Sequence, residues 1–305
     1  MGINDSTIVT WLMMSIRMTA PLLFAALGGL MTTRVGIFNL GLEGMMLFGA
    51  FFGYYGSLMS GSPWIGLLMA IVVGVLLGLL FAFFTVTLKV NQVLTSIGIN
   101  TLALGVTSYL SRTLLVDAKV ITAPTFKNIG IPFLSDLPII GPIIFDQNIL
   151  IYFSLILVFF IHCFFFKTTT GLNLRSIGED AVVSTTVGIN VSRYRYLATI
   201  ASGVLASIGG AYITTVAVNR FLENIVEGRG WIAFAAVIFG KSMPWGIFVA
   251  CLLFGSATAL QMIMQVQGVQ LPYKFALMVP YVVTMVALAF GAISQKKRER
   301  RVKLR

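Results

Sequence analysis

Charge is what this chain lacks most. Asp, Glu, Lys and Arg together make up 10% of its 305 residues, against about 25% in a typical soluble domain. A chain so poor in charge has little with which to cover a water-facing surface, which argues against a soluble globular protein. Cysteine is scarce too: Cys163 and Cys251 both sit inside apolar runs, so neither a disulfide framework nor a thiolate metal site is expected. His162 is the single histidine, and an imidazole in an apolar run without carboxylate partners is a poor ligand or general base. No nucleophile stands beside a base, and no metal-ligand cluster is visible. The chain is therefore not expected to be an enzyme or to hold a metal or cofactor. Gly240-Lys241-Ser242 matches only the end of a phosphate-binding loop, and Ala235 stands where that loop needs its first glycine. The chain is not expected to bind ATP itself. Ahead of the first apolar run there is no basic region, and after it no small-residue cleavage pattern, so no removable signal peptide is expected.

What the chain has in abundance is apolar sequence, 58% of all residues. Runs long enough to cross about 30 Å of hydrocarbon recur near 8–33, 36–58, 65–88, 91–115, 149–166, 196–218, 230–241, 246–264 and 273–292. The fold class expected is all-α, a polytopic membrane protein of eight to ten transmembrane helices. Residues 1–295 read as one transmembrane domain and 296–305 as a basic tail. That tail carries much of the net charge of +11. Its place directly after an apolar run favours a cytoplasmic flank that meets anionic lipid over a nucleic-acid surface. Arg34, Lys89, Lys241, the 167–195 loop and the tail all point to the cytoplasm by the positive-inside rule. The N-terminus and the 116–148 segment then face outward. Pro124, Pro132, Pro138 and Pro142 forbid a long helix there and predict a folded or pinned external loop.

Polar residues break the apolar runs at a few places. Arg34-Val-Gly36-Ile-Phe-Asn39-Leu-Gly41-Leu-Glu43-Gly44 puts glycines, an amide and a carboxylate between two spans. Irregular backbone is tolerated in a membrane only where it is buried in protein or lines a cavity, and a carboxylate is costly there. Asn39 and Glu43 therefore mark either a broken helix beside a permeation path or a cytoplasmic turn in which Glu43 caps a helix. Thr95, Ser96 and Asn100 share roughly one helical face and either line a water-filled route or hydrogen-bond neighbouring helices. Gly49-x-x-x-Gly53 and Gly74-x-x-x-Gly78 are read as close helix packing.

The chain also echoes itself. Gly28-Gly29-Leu-Met-Thr32-Thr33 is similar to Gly209-Gly210-Ala-Tyr-Ile-Thr214-Thr215, and the stretch from Glu43-Gly44 to Gly53 is similar to that from Arg229-Gly230 to Gly240. An odd number of crossings between the copies predicts an inverted repeat with interrupted helices, a transporter signature. The 171–190 stretch is too polar to cross the bilayer, yet it is glycine-punctuated and patterned like a small helix. A structured helical knob on the cytoplasmic side suggests a partner there.

Arg34-Val-Gly-Ile-Phe-Asn-Leu-Gly-Leu-Glu-Gly-Met-Met46, Gly171-Leu-Asn-Leu-Arg-Ser-Ile-Gly-Glu-Asp180, Gly188-Ile-Asn-Val191 and Gly228-Arg229-Gly230-Trp-Ile-Ala-Phe-Ala-Ala-Val-Ile-Phe-Gly-Lys241 resemble the membrane permeases of bacterial ABC importers. The branch resembled serves branched-chain amino acids, ribose-type sugars and nucleosides. The Ile-Phe-Asn-Leu-Gly-Leu-Glu-Gly form and the Thr122-Ala-Pro-Thr-Phe loop look most like its nucleoside members. The resemblance implies a permease subunit that moves a small polar solute by alternating access, driven by a separate ATPase. It implies that 171–190 is the loop coupling to that ATPase, with Arg175, Gly178, Glu179, Asp180 and Gly188 on its motif. The proline usual after the acidic pair is replaced by Ala181-Val182-Val183. Implied partners are an ATPase with two nucleotide sites, a second related permease subunit and an external solute-binding lipoprotein. The implied location is the bacterial plasma membrane, N-terminus outside and C-terminus cytoplasmic. A sugar or branched-chain amino acid permease, or a secondary transporter working without ATP, remains the alternative.

Overall fold

The computed structural model describes residues 5–115, 123–130 and 141–266. Within them the chain is almost wholly helical. The first half supplies α1 (Asp5–Thr33), α2 (Leu42–Ser60), α3 (Pro63–Ala82, ending in a π turn at Phe83–Thr87) and α4 (Gln92–Leu114). A two-stranded hairpin follows, β1 (Asn128–Gly130) antiparallel to β2 (Asp146–Asn148), with Asn128 opposite Asn148. Next come α5 (Ile149–Lys167), the short α6 (Thr169–Glu179) and α7 (Ala181–Thr186), and α8 (Val191–Tyr212, with a π turn at Ile213–Ala217). The described chain ends with α9 (Arg229–Phe239) and α10 (Pro244–Val266).

Local chemistry sets most of these boundaries. Asn91, Asn148 and Asn190 each accept a backbone N–H in the first turn of the helix they precede, the usual use of a short amide at an N-cap. Between α2 and α3, Gly61 takes φ +68° and Pro63 opens the next helix, so the chain reverses in three residues. The hairpin is fastened to the helices by Ser57 Oγ donating to the Pro124 carbonyl (2.7 Å), and Trp64 stands edge-on to Phe126. The described part of the 116–148 segment is thus tied to the helices.

Among the described residues, six helices are long and apolar enough to cross a membrane: α1, α3, α4, α5, α8 and α10, four of them counted with their adjoining turns or trimmed ends. Helix α2, 19 residues and about 28 Å long, comes close to the thickness needed, though Gly, Ser and Glu43 dilute its hydropathy. Helix α9 corrects the expectation of a full span at 230–241. Its 11 residues reach about 16 Å, roughly half a bilayer. The run looked like a span because it is uniformly apolar, but the backbone before it, at 218–228, is irregular rather than helical. The expected span at 273–292 and the tail 296–305 lie outside the described residues.

Helix α8 runs through the centre and is flanked by α1, α2 and α3. Glycines let these backbones touch. A Cβ on Gly74 would lie 2.7 Å from the Gly203 carbonyl, and one on Gly78 2.6 Å from Ile200 Cα; one on Gly49 would collide with the Ser207 backbone. In lipid such closeness gains dispersion contact, since no water remains to drive association. Ser207 Oγ and Thr214 Oγ1 add bonds across the α2–α8 seam, donating to the Met45 (3.0 Å) and Ala50 (2.9 Å) carbonyls.

The contacts also orient the echoed segments. Gly28 closes on Ser202 while Gly209 closes on Pro21, so α1 and α8 are antiparallel and meet reciprocally. Gly29 lies against Val237 of α9, and Gly210 against Met46 and Ala50 of α2. Each Gly-Gly pair thus packs on the helix that follows the other copy, the arrangement an inverted repeat requires.

Candidate functional site

The break between α1 and α2 is built from hydrogen bonds that close on themselves. Gly36 takes φ +74°, residues 37–39 follow without regular structure, and a turn at Leu40 and Gly41 leads into α2. Asn39 is completely buried: Nδ2 donates to Ser202 Oγ (3.0 Å) and Oδ1 accepts the Gly41 N–H (2.9 Å). Asn100 Nδ2 donates to the Leu40 carbonyl (3.1 Å), and its Oδ1 accepts the Gly44 N–H (2.8 Å). Ser96 Oγ accepts from Leu40 N (3.2 Å) and donates to the Gln92 carbonyl (2.7 Å). Thr95 donates to its own helix, at the Asn91 carbonyl (3.1 Å). Backbone groups freed by unwinding are thereby satisfied by the α4 side chains, as a buried break demands.

Glu43 stands where this break meets the second one. Oε1 accepts the Gly228 N–H (2.8 Å) and Oε2 the Gly230 N–H (2.7 Å). A carboxylate on the first N–H groups of α9 satisfies orphan donors and sits at the positive end of the helix dipole. Gly228 has φ +83° and a Cβ on Gly230 would run into the Glu43 backbone, so both glycines are needed for this approach. Glu43 does cap a helix, but one that begins 185 residues later in the chain rather than its own. Asn39, Glu43, Ser96 and Asn100 are thus gathered around one junction, while Thr95 donates within α4. Reading the sequence missed Ser202, Gly228 and Gly230 as their partners; the only signal was the echo that aligns Glu43-Gly44 with Arg229-Gly230.

The 167–195 loop is a rigid two-helix knob. Thr168 Oγ1 caps α6 at the Gly171 N–H (3.1 Å). Asp180 Oδ1 accepts from Val182 N (2.8 Å) and Val183 N (3.0 Å), so it is the N-cap of α7 and the hinge between the two helices. Gly188, with φ +86°, ends α7. The Arg175 guanidinium lies 4.8 Å over the Phe166 ring. A Cβ on Gly178 would collide with the Arg34 carbonyl, which presses the knob onto the α1–α2 turn. Glu179 is exposed and its charge acts on Arg34. Burial pulls the Arg34 guanidinium below its ordinary range and the neighbouring Arg175 pulls it further, with Glu179 opposing both. The outward tip of the knob is apolar: Val182 and Val187 are each 75% exposed, and Leu172 and Val183 each 57%.

A third feature is the outer face of α4. Gly98, Thr101, Gly105 and Tyr109 line a shallow open groove, and a Cβ on either glycine would meet nothing. The exposed faces of α3 and α5 carry Trp64, Leu68, Leu76, Phe153, Phe159 and Phe160, and α4 itself also exposes Leu94, Ile97 and Leu102 around the groove.

A family described as the permease component of branched-chain amino acid transport systems matches residues 11–288. The chain is 37% identical to the guanosine ABC transporter permease protein NupQ of Bacillus subtilis, over 88% of each chain. It is 35% identical to the nucleoside ABC transporter permease protein NupC of Lactococcus lactis, over 89% of this chain and 88% of the other. Among solved structures it is similar to PsaBC from Streptococcus pneumoniae in complex with Fab, with a TM-score of 0.52 at 12% identity over 93% of this chain and 91% of that one. At that identity the likeness concerns the fold alone.

Proposed function

The chain belongs to the family of permease components of branched-chain amino acid transport systems, and we propose that it is the membrane-spanning subunit of an ABC importer that carries a nucleoside into the cell. The observation that carries the importer reading is the knob at 169–187. Its fold is fully capped and braced, while its tip presents four large apolar side chains to the aqueous side, a surface that calls for a partner. The nucleoside reading rests on the nucleoside permeases it is similar to, over nearly their whole length.

The partners we assign are an ATPase with two nucleotide sites under the knob, a second related permease and an external solute-binding lipoprotein. The membrane is the bacterial plasma membrane, with the N-terminus outside and the C-terminus cytoplasmic. Arg34, Arg195 and Ser242 meet at the end of the molecule that carries the knob, and the β-hairpin closes the opposite end; the crowding of Arg and Lys at the first end supports that orientation. The solute route runs along the open face of α4, beside Gly98, Thr101 and Gly105. Asn39, Ser96, Asn100 and Glu43 stand behind this face and keep the two broken helices in place, with Thr95 beside them on α4. The route then offers few fixed polar groups, which suits an importer whose selection lies in the external protein.

Proteoliposomes holding the whole complex test this reading. Uptake of radiolabelled guanosine should require ATP, and other nucleosides should compete with it. Inhibition by ribose or leucine, with none by any nucleoside, overturns the solute. Uptake that continues when the ATPase is inactivated overturns the importer itself.

A further inference from the structure

We propose that Arg34 is the positioning residue through which movement of the knob reaches α9, a proposal that rests on the importer reading. The geometry is a clamp. Helix α9 is held at its N-terminus by Glu43, which accepts from Gly228 and Gly230. At its other end the Arg34 guanidinium donates to the Ser242 carbonyl in the turn between α9 and α10. Arg34 opens the α1–α2 connection and Glu43 stands in the first turn of α2 just after it, so this half-length helix is gripped at its two ends by residues nine apart in the chain.

That turn is where a small push has leverage. Lys241 and Ser242 take φ +53° and +52° in succession, a left-handed pair that neither residue type favours, and Ser242 N is tied back to the Val237 carbonyl (3.0 Å). The Arg34 bond from outside the turn helps hold it so. The same arginine meets the knob: Gly178 closes directly on its carbonyl, and its guanidinium faces Arg175 and Glu179 of α6. It also lies 6.0 Å from the centre of the Phe165 ring at the end of α5. A guanidinium can stack on a ring and donate in its own plane at once, which an ammonium cannot. Displacement of α6 by the ATPase therefore moves Arg34, and Arg34 moves the foot of α9 while Glu43 holds its head.

Two variants approach the contact from opposite sides. Arg34→Met keeps an unbranched stem but loses the guanidinium, with its stacking on Phe165 and its bond to Ser242. Gly178→Ala leaves the Arg34 side chain untouched and pushes the knob off the turn. In proteoliposomes with the complete complex, the readouts are solute moved per ATP hydrolysed, ATPase association and the melting temperature. Arg34→Met should keep association and hydrolysis while transport per ATP falls roughly three- to thirtyfold, and Gly178→Ala, which stands on the coupling loop, should lower transport per ATP by more than it lowers association. Arg34→Lys, which keeps a donor for Ser242, should recover part of the loss. Wild-type transport per ATP in both variants overturns the proposal, and so does a parallel loss of hydrolysis, assembly and melting temperature, which would make Arg34 a mere fold-holding residue. If Arg34→Met does not accumulate in the membrane, Gly178→Ala decides alone. Should the unaltered complex itself show no ATP-driven uptake, the importer reading fails, which is a distinguishable result.

Discussion

The segments 34–44 and 168–190 have the same makeup and opposite fates. Each lies between apolar helices, and each mixes glycine with amides, a basic residue and acids. In the first, nearly every polar group finds a partner inside the chain: Asn39 on Ser202, Asn100 on Leu40 and Gly44, Glu43 on Gly228 and Gly230. In the second, the polar side chains are spent on the loop's own caps, Thr168, Asp180 and Asn190, and valines face outward. Inside a bilayer an unpartnered polar group is the costly thing, so the buried segment must satisfy its polar groups. On the aqueous side polar groups cost little, and apolar ones mark the surface that expects company.

The largest effect expected from breaking this comparison is at Glu43. Replacing it by alanine leaves the Gly228 and Gly230 N–H groups buried without an acceptor, and bonds from such donors to a charge are each worth about 1.5–3 kcal/mol. Glu43→Ala should lose about 3–5 kcal/mol, seen as poor accumulation and a much lower melting temperature of the purified permease. Glu43→Gln keeps one acceptor and should lose about half as much. An unchanged melting temperature for Glu43→Ala would mean that the junction does not hold the two broken helices together.

How much of this was readable in advance follows from the range of each interaction. Membrane spans are local in sequence, so α1, α3, α4, α5, α8 and α10 stand close to the apolar runs that announce them. The run at 230–241 misled because its apolar composition suggested a span although its length, matched by the 11 residues of α9, falls short of a bilayer; the left-handed backbone at Asn219, Asn224 and Glu227 keeps the chain before it from extending the helix. Glu43 and Asn39 were visible as expensive residues, while their partners were not, because Ser202 lies 163 residues from Asn39 and nothing local marks it. Only the echoed motifs carried long-range information, and they do bring Gly29 to α9 and Gly210 to α2. In the knob, charge drew attention to Glu179 and Asp180, whereas burial directs it to the valines.

The second effect sharpens the contrast from the exposed side. Val182→Lys together with Val187→Lys adds charge at two side chains that are three-quarters exposed among the described residues, so the melting temperature should stay within experimental scatter. Affinity for the ATPase should fall about 10- to 100-fold, the range expected when large side chains at the centre of an interface are lost. Pull-down of the ATPase by the purified permease measures it. Undiminished association would mean that another face of the knob does the docking.

The smallest effect separates the two roles that Asp180 can hold. As a charge on a docking surface, it should tolerate alanine no better than asparagine, because both remove the charge. As the N-cap of α7, it should tolerate asparagine well, because the amide oxygen still accepts from Val182 N and Val183 N, while alanine should lose about 1 kcal/mol. The geometry favours the second role, with both N–H groups on one carboxylate oxygen at 2.8 and 3.0 Å. Hydrogen exchange at Val182 and Val183 should therefore quicken in Asp180→Ala by roughly fivefold and stay near wild type in Asp180→Asn. Transport should follow the same order, modestly lower in the alanine variant only. Because lysine at 179 and 180 together would remove this cap as well as reverse the charge, a loss of transport in that double variant cannot be assigned to docking charge. Equal loss in Asp180→Asn and Asp180→Ala would return Asp180 to the docking surface and leave the helix start to Ala181 alone.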